Sequence, residues 1–110
     1  MKVYDINGNE YEIQEIEDTG WVNLAPGINL RKRNGIVTIN FQTNVTQVAN
    51  WQILANLPEG CIPNHNIFGV ISENQGNPTH QMNLQITTDG NISAICGSTG
   101  NCIGSITYPV

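Results

Sequence analysis

The sequence predicts an all-β fold: an antiparallel β-sandwich, jelly-roll-like, of about eight short strands behind an N-terminal hairpin. Three observations carry this. Runs rich in β-branched and aromatic residues alternate with Gly, Pro and Asn turns at near-regular spacing through residues 20–110. The strongest run, Ile36 to Asn44, sets Val37, Ile39 and Phe41 against Thr38, Asn40 and Gln42, the period-two pattern of a strand with one core face and one polar face. No segment reads as a helix, so the crossovers that a mainly parallel sheet requires are missing.

The elements follow in order. Val3 to Ile6 and Asn9 to Ile13 flank Asn7-Gly8, the strongest two-residue hairpin signal, because both residue types tolerate positive φ. An isolated hairpin is marginal in water, so this arm is expected to pack on the main body, a neighbouring subunit or a stalk. Gln14 to Gly20 connects it to the body. Trp21 to Leu24 is a short strand, broken by Ala25-Pro26-Gly27. The strand containing Ile28 and Leu30 runs to Arg33, and Asn34-Gly35 turns it into Ile36–Asn44. Trp51 to Leu54 leads to the Leu57-Pro58-Glu59-Gly60 corner. Asn66 to Ser72 is apolar and β-like. After a polar loop, Met82 to Thr87 alternates cleanly, Thr88-Asp89-Gly90 turns, Asn91 to Ile95 returns, and Ile103 to Tyr108 is the last strand. The expected core is Trp21, Leu24, Ile28, Leu30, Val37, Ile39, Phe41, Ile53, Leu57, Ile67, Phe68, Val70, Met82, Leu84, Ile86, Ile92, Ile95, Ile106 and Tyr108.

At 110 residues the chain is long enough for one core. The division expected is an acidic arm or neck over 1–19 and a sandwich over 20–110. Charged residues are only 12% of the chain, against about 25% in a typical domain. Solubility then rests on amides and hydroxyls, which suit neutral polar partners or a surface covered by other subunits. Six of the nine acids lie in residues 1–18, and the body carries three acids and three bases. A net charge of −5, with Arg31-Lys32-Arg33 as the one basic cluster, argues against nucleic acid. No apolar run approaches a membrane span, so no membrane insertion is expected, and no signal peptide is apparent. Cys61, Cys96 and Cys102 make a poor disulfide framework. Cys96 and Cys102 could face each other across a hairpin; the alternative is buried thiols in a reducing compartment.

The chain reads GWVNL, then INLRKRNGIVTINFQTN, WQILANLPEGCIP, LQITTDGNIS and a terminal GSITYPV. In this order the segments resemble the C-terminal receptor-binding (head) domain of tail-fibre or minor tail proteins of phages and prophages. The resemblance spans about residues 20–110. It implies a homotrimeric β-sandwich head that binds host-surface saccharide non-covalently, joined by its acidic neck to an upstream tail-fibre shaft. It implies a place in the virion tail, after synthesis in the bacterial cytoplasm. Two other functions fit the sequence: a structural trimerisation or capping module of the tail, and a lectin-like accessory module of a bacterial surface protein.

The densest run of hydrogen-bonding side chains is the Ser72–Gln81 loop, with Asn74, Gln75, Asn77, His80 and Gln81. Amides offer donor and acceptor together, as sugar hydroxyls require, and long loops in compact domains are often functional. Trp51 is a candidate stacking platform, or else a core or subunit-interface residue. His65 and His80 share no metal-ligand spacing with each other or with the cysteines, so no metal and no cofactor are expected. Glu59, Glu73 and Asp89 are the body's only acids. Glu59 and Asp89 fit turns, and no nucleophile elbow is present, so the chain is not expected to be an enzyme.

Overall fold

The computed structural model describes residues 2–12, 17–45, 48–73, 81–96 and 100–110, and within them ten strands and no helix. They are β1 (Lys2–Tyr4), β2 (Glu10–Glu12), β3 (Val22–Ala25), β4 (Ile28–Arg33), β5 (Ile36–Val45), β6 (Val48–Asn56), β7 (Ile67–Glu73), β8 (Gln81–Ile86), β9 (Asn91–Cys96) and β10 (Gly100–Pro109). β1 and β2 form a sheet of their own. The remaining eight hydrogen-bond in the order β3-β4-β5-β10-β7-β8-β9-β6, every pair antiparallel. They make two sheets of four, β3-β4-β5-β10 and β7-β8-β9-β6, packed as a β-sandwich. β5 pairs with β10, β6 with β9 and β7 with β8, the nested hairpin of a jelly roll. All eight expected body strands are present.

The two sheets meet at β10 and β7, which share only the pairs Cys102↔Glu73 and Ile103↔Ser72. Beyond that short ladder, two glycines let the strands approach. A Cβ on Gly104 would come within 2.7 Å of Ile71 Cγ2, and one on Gly69 within 2.8 Å of Ile106 Cδ1. Each strand thus offers the other a bare backbone where it carries an isoleucine.

The core lies between the sheets. Ile28, Leu30, Val37, Ile39, Phe41, Ile71, Met82, Leu84, Ile86, Ile92 and Tyr108 are all buried, and Leu24, Ile67 and Ile106 pack against them. The Tyr108 hydroxyl donates a 2.8 Å hydrogen bond to the Cys61 carbonyl, which satisfies a polar group deep in the core. Burial also pushes its phenol pKa well above the usual range.

Four residues expected in the core are exposed: Trp21, Ile53, Phe68 and Val70. In β7, Ile67 and Ile71 take the inward positions, which sends Phe68 and Val70 outward. In β6 the register with β9 shifts between Ile53 and Ala55. This bulge leaves Ile53 outward while Ala55 and Leu57 are buried. Ile95 is only half buried. All three cysteines are buried thiols, with no disulfide between Cys96 and Cys102.

The turns divide by geometry. Asn34 (φ 51°) and Gly35 (φ 77°) form the expected two-residue hairpin between Arg33 and Ile36. Asn7-Gly8 does not: only Gly8 has positive φ. The Asp5 carboxylate accepts bonds from the backbone N–H groups of Asn7 and Asn9, and Gly8 N–H donates to the Asp5 carbonyl. Local Asx bonding therefore opens the hairpin into a longer loop. Pro26-Gly27 joins β3 to β4 with Gly27 at φ 75°, and Gln42 N–H donates to the Gly27 carbonyl at 2.8 Å.

Before β3, residues 17–19 run beside the end of β4. Thr19 N–H donates to the Lys32 carbonyl, and Asn34 N–H to that of Glu17. Arg31 donates to both Asp18 carboxylate oxygens, at 2.9 and 2.6 Å. That fork, with a bond from Gly20 N–H, holds the Asp18 carboxyl well below the usual range.

A Cβ on Gly27 would overlap the Gln42 carbonyl. Gly27→Ala is therefore expected to lower stability by about 2–4 kcal/mol, a fall of roughly 10–20 °C in Tm. Gly20 has a positive φ but open space, so Gly20→Ala should lose no more than about 1 kcal/mol. Thermal unfolding of both variants checks the contrast. Because the folded-state pKa of Asp18 is depressed, its stabilisation is full above the unfolded value of about 3.9 and is lost as pH falls below it. The Tm advantage of the wild type over Asp18→Asn should hold from pH 6 to about pH 5 and then shrink as pH is lowered toward 2; a gap that stays constant down to pH 2 would refute the ion pair's role.

Candidate functional site

The outer face of the β7-β8-β9-β6 sheet carries the first candidate. Register places Val70 opposite Asn83, Asn83 opposite Ile95, Phe68 opposite Gln85, Gln85 opposite Ser93 and Ser93 opposite Ile53. Their neighbours along the strands, Ile71, Met82, Leu84, Ile86, Ile92 and Ala94, are buried. The strand period therefore leaves this row on the surface. Ser93 alone among the outward positions is buried, at 6% exposure.

Trp51, Phe68, Gly69, Val70, Asn83 and Leu84 line an open cleft of about 310 Å3. Trp51 is 43% exposed and Phe68 is 66% exposed. Gly69 contributes backbone between Phe68 and Val70, and the exposed Asn83 supplies an amide. None of the lining side chains is charged. Two aromatic side chains offer faces to apolar C–H groups, while the amide and the indole N–H offer hydrogen bonds. That combination suits a neutral ring with one apolar face and polar edges, and it contains no group able to act as nucleophile or base.

Trp51 is thus brought to a cleft. Gln81 is the first residue of β8 and its backbone pairs with Ser72, two residues beyond the Asn83↔Val70 pair. Asn74, Gln75, Asn77 and His80 lie outside the described residues. His65 is exposed in the β6–β7 connection. Among the described residues no three His, Cys, Asp or Glu side chains come together.

Sequence reasoning missed Phe68, Val70 and Asn83. A signal was present: Ile67 to Ile71 is apolar at every position but Gly69. In a chain whose other strands alternate, such a run makes both faces of a strand apolar.

The outer face of the other sheet differs. Asn29, Arg31 and Arg33 of β4 pair with Asn40, Thr38 and Ile36 of β5, and Thr38, Asn40 and Gln42 pair with Thr107, Ser105 and Ile103 of β10. Apart from its apolar ends this face is amide, hydroxyl and guanidinium.

No family of known proteins matches the chain, and no curated protein shows significant sequence similarity to it. The site's meaning therefore rests on its own chemistry.

The buried thiols also define reactivity. Burial raises the Cys61 pKa, which suppresses its thiolate. A thiol reagent such as Ellman's is expected to modify none of the three cysteines in the native state and all three after denaturation. Two fast-reacting equivalents in native protein would contradict the packing.

Proposed function

We propose that the chain is the head domain of a phage or prophage tail fibre, binding host cell-surface saccharide non-covalently through the Trp51 cleft. The observation that carries this reading is that the exposed aromatics Trp51 and Phe68 line one cleft with Asn83, and that none of the side chains lining it is charged. Burial is the norm for aromatics of this size when no ligand or partner covers them. An aromatic wall with an adjacent amide can stack on a sugar ring and bond its hydroxyls. In the same reading the amides of Asn74, Gln75, Asn77 and Gln81, with the His80 imidazole, supply further hydrogen bonds to the saccharide. In this reading the chain works as a homotrimer in the virion tail, attached to an upstream shaft through its acidic arm. It performs no catalysis and needs no cofactor.

One observation favours a second reading. Ile53, Phe68 and Val70 are each more than half exposed on the same face, as expected of a surface covered by another copy. The chain would then be a structural trimerisation or capping module of the tail. The third reading, a lectin-like accessory module of a bacterial surface protein, shares the saccharide site but not the tail.

Trp51→Ala and Asn83→Ala separate the first two. For a saccharide site, each variant should weaken adsorption to host envelopes by about tenfold or more, since base-free aromatic stacking and paired hydrogen bonds contribute about 1–2 kcal/mol each. The mass by light scattering should stay at three times 12.0 kDa. If the variants instead fall to monomer and the wild type fails to compete with phage adsorption, the face is a subunit interface and the saccharide reading is wrong.

A further inference from the structure

We propose that the outer face of the β3-β4-β5-β10 sheet is a second ligand groove, built for an acidic saccharide chain whose carboxylate docks on Arg33. This inference does not depend on the Trp51 cleft, which lies on the other sheet and shares no residue with it.

The groove consists of two adjoining clefts. One, of about 320 Å3, is lined by Trp21, Arg31, Arg33, Ile36 and Thr38. The other, of about 620 Å3, lies over Gly27, Asn29, Asn40, Gln42, Ile103 and Ser105. The Arg31–Thr38 pair belongs to the first and the Asn29–Asn40 pair to the second. These are consecutive rows of the same sheet face, about 7 Å apart along the strands, so the clefts meet. From Ile36 to Gln42 the groove runs about 20 Å, the scale of an extended oligomer rather than of one ring.

Its electrostatics are uneven. Arg31 is forked onto Asp18, and Lys32 lies 3.4 Å from Glu17. Arg33, the remaining member of the basic cluster, lies across a backbone bridge from Asp18 and adds to the field that lowers its carboxyl. It forms no ion pair within 4.0 Å among the described residues, so three cations here meet two acids. In a chain of net charge −5 this end of the groove is where positive charge is left uncompensated. A guanidinium matches a carboxylate in a planar, two-bond geometry. Trp21, 51% exposed, forms the adjoining wall and offers a stacking face. Further along, the exposed side chains of Asn40, Gln42 and Ser105 have no hydrogen bond within the described residues, so both donors and acceptors face outward. Asn29 is tied to the Asn23 amide at 3.1 Å, which fixes the groove's edge beside them.

One free guanidinium followed by neutral amides does not suit a nucleic acid, whose regular phosphates call for several cations. It suits a hydroxyl-rich chain with a carboxylate at one of its rings, such as a uronate.

The test uses the full chain and three probes: a galacturonate hexamer, a glucose hexamer of maltose type, and inorganic phosphate. Calorimetry measures affinity, and 15N NMR reads the Trp21 and Trp51 indoles separately. The expected result is that the galacturonate hexamer binds and shifts the Trp21 indole rather than that of Trp51. Its affinity should exceed that of the glucose hexamer by about tenfold or more and fall as salt rises. Arg33→Gln should remove that preference with unchanged Tm, and Asn40→Ala with Gln42→Ala should weaken both hexamers. Equal affinity for the two hexamers, no binding of galacturonate, or an unaltered preference in Arg33→Gln would overturn the proposal. Phosphate displacing galacturonate at equal concentration would reduce the site to one for small anions and would overturn it too. Loss of saccharide binding in Trp51→Ala leaves these outcomes unaffected, so the two sites fail or stand separately.

Discussion

The sandwich depends on the close approach of β10 and β7. Each four-stranded sheet is held internally by longer ladders, but the two are joined through only two residue pairs. What closes the join is steric. Ile71 sits against Gly104 and Ile106 against Gly69. A side chain on Gly104 would meet Ile71 back to its Cβ and push the strands apart, whereas one on Gly69 would meet the Cδ1 end of Ile106 and force that side chain to turn. The glycines thus set the spacing at which the remaining core reaches close packing. The backbone of the same Gly69 also lines the Trp51 cleft on the outer face.

The fold class was legible because most strands obey the period of two. Ile36 to Val45 is the clearest case: Val37, Ile39 and Phe41 are buried and the alternate side chains face out. Met82, Leu84 and Ile86 behave the same way. Errors arose where hydrophobicity stopped marking the inward face. Phe68 and Val70 lie between inward isoleucines in a strand with no polar parity, so counting apolar residues could not assign its faces. Ile53 was misplaced for another reason. The bulge between Ile53 and Ala55 changes parity in mid-strand, and nothing local in Trp51-Gln52-Ile53-Leu54 announces it. The arm shows a third kind of failure: Asp5 captures the turn with its own carboxylate, which overrides the Asn-Gly preference.

The candidate sites were less legible than the fold. Trp51 could be singled out by type, but not its partners. Phe68 and Asn83 come from strands that are distant in sequence, and only the β7-β8-β9-β6 order brings them near it. On the other sheet, the polar face of Ile36–Asn44 was visible as a pattern of Thr38, Asn40 and Gln42. Its meaning depends on what β4 and β10 add beside it. Arg31-Lys32-Arg33 was visible as the one basic cluster. In three dimensions its members part company: two are matched by acids from residues 17–18, and Arg33 stands beside Trp21.

The scarcity of charge ties these features together. Among the described residues the strand positions that face outward are mostly amides, hydroxyls and apolar groups, so neither sheet face is defended by a charged layer. A β domain with exposed edges and apolar surface usually carries such charges to prevent association. Their absence leaves both faces open to neutral, hydroxyl-rich or apolar partners at little desolvation cost. The two faces then divide the work by composition. The β7-β8-β9-β6 face offers aromatic surface with one amide, which favours stacking. The β3-β4-β5-β10 face offers amides along its length and one unmatched guanidinium at its end, which favours an extended polar chain with a fixed polarity. A single jelly-roll core, closed by two glycines, therefore presents two surfaces of different chemistry from one alternating pattern.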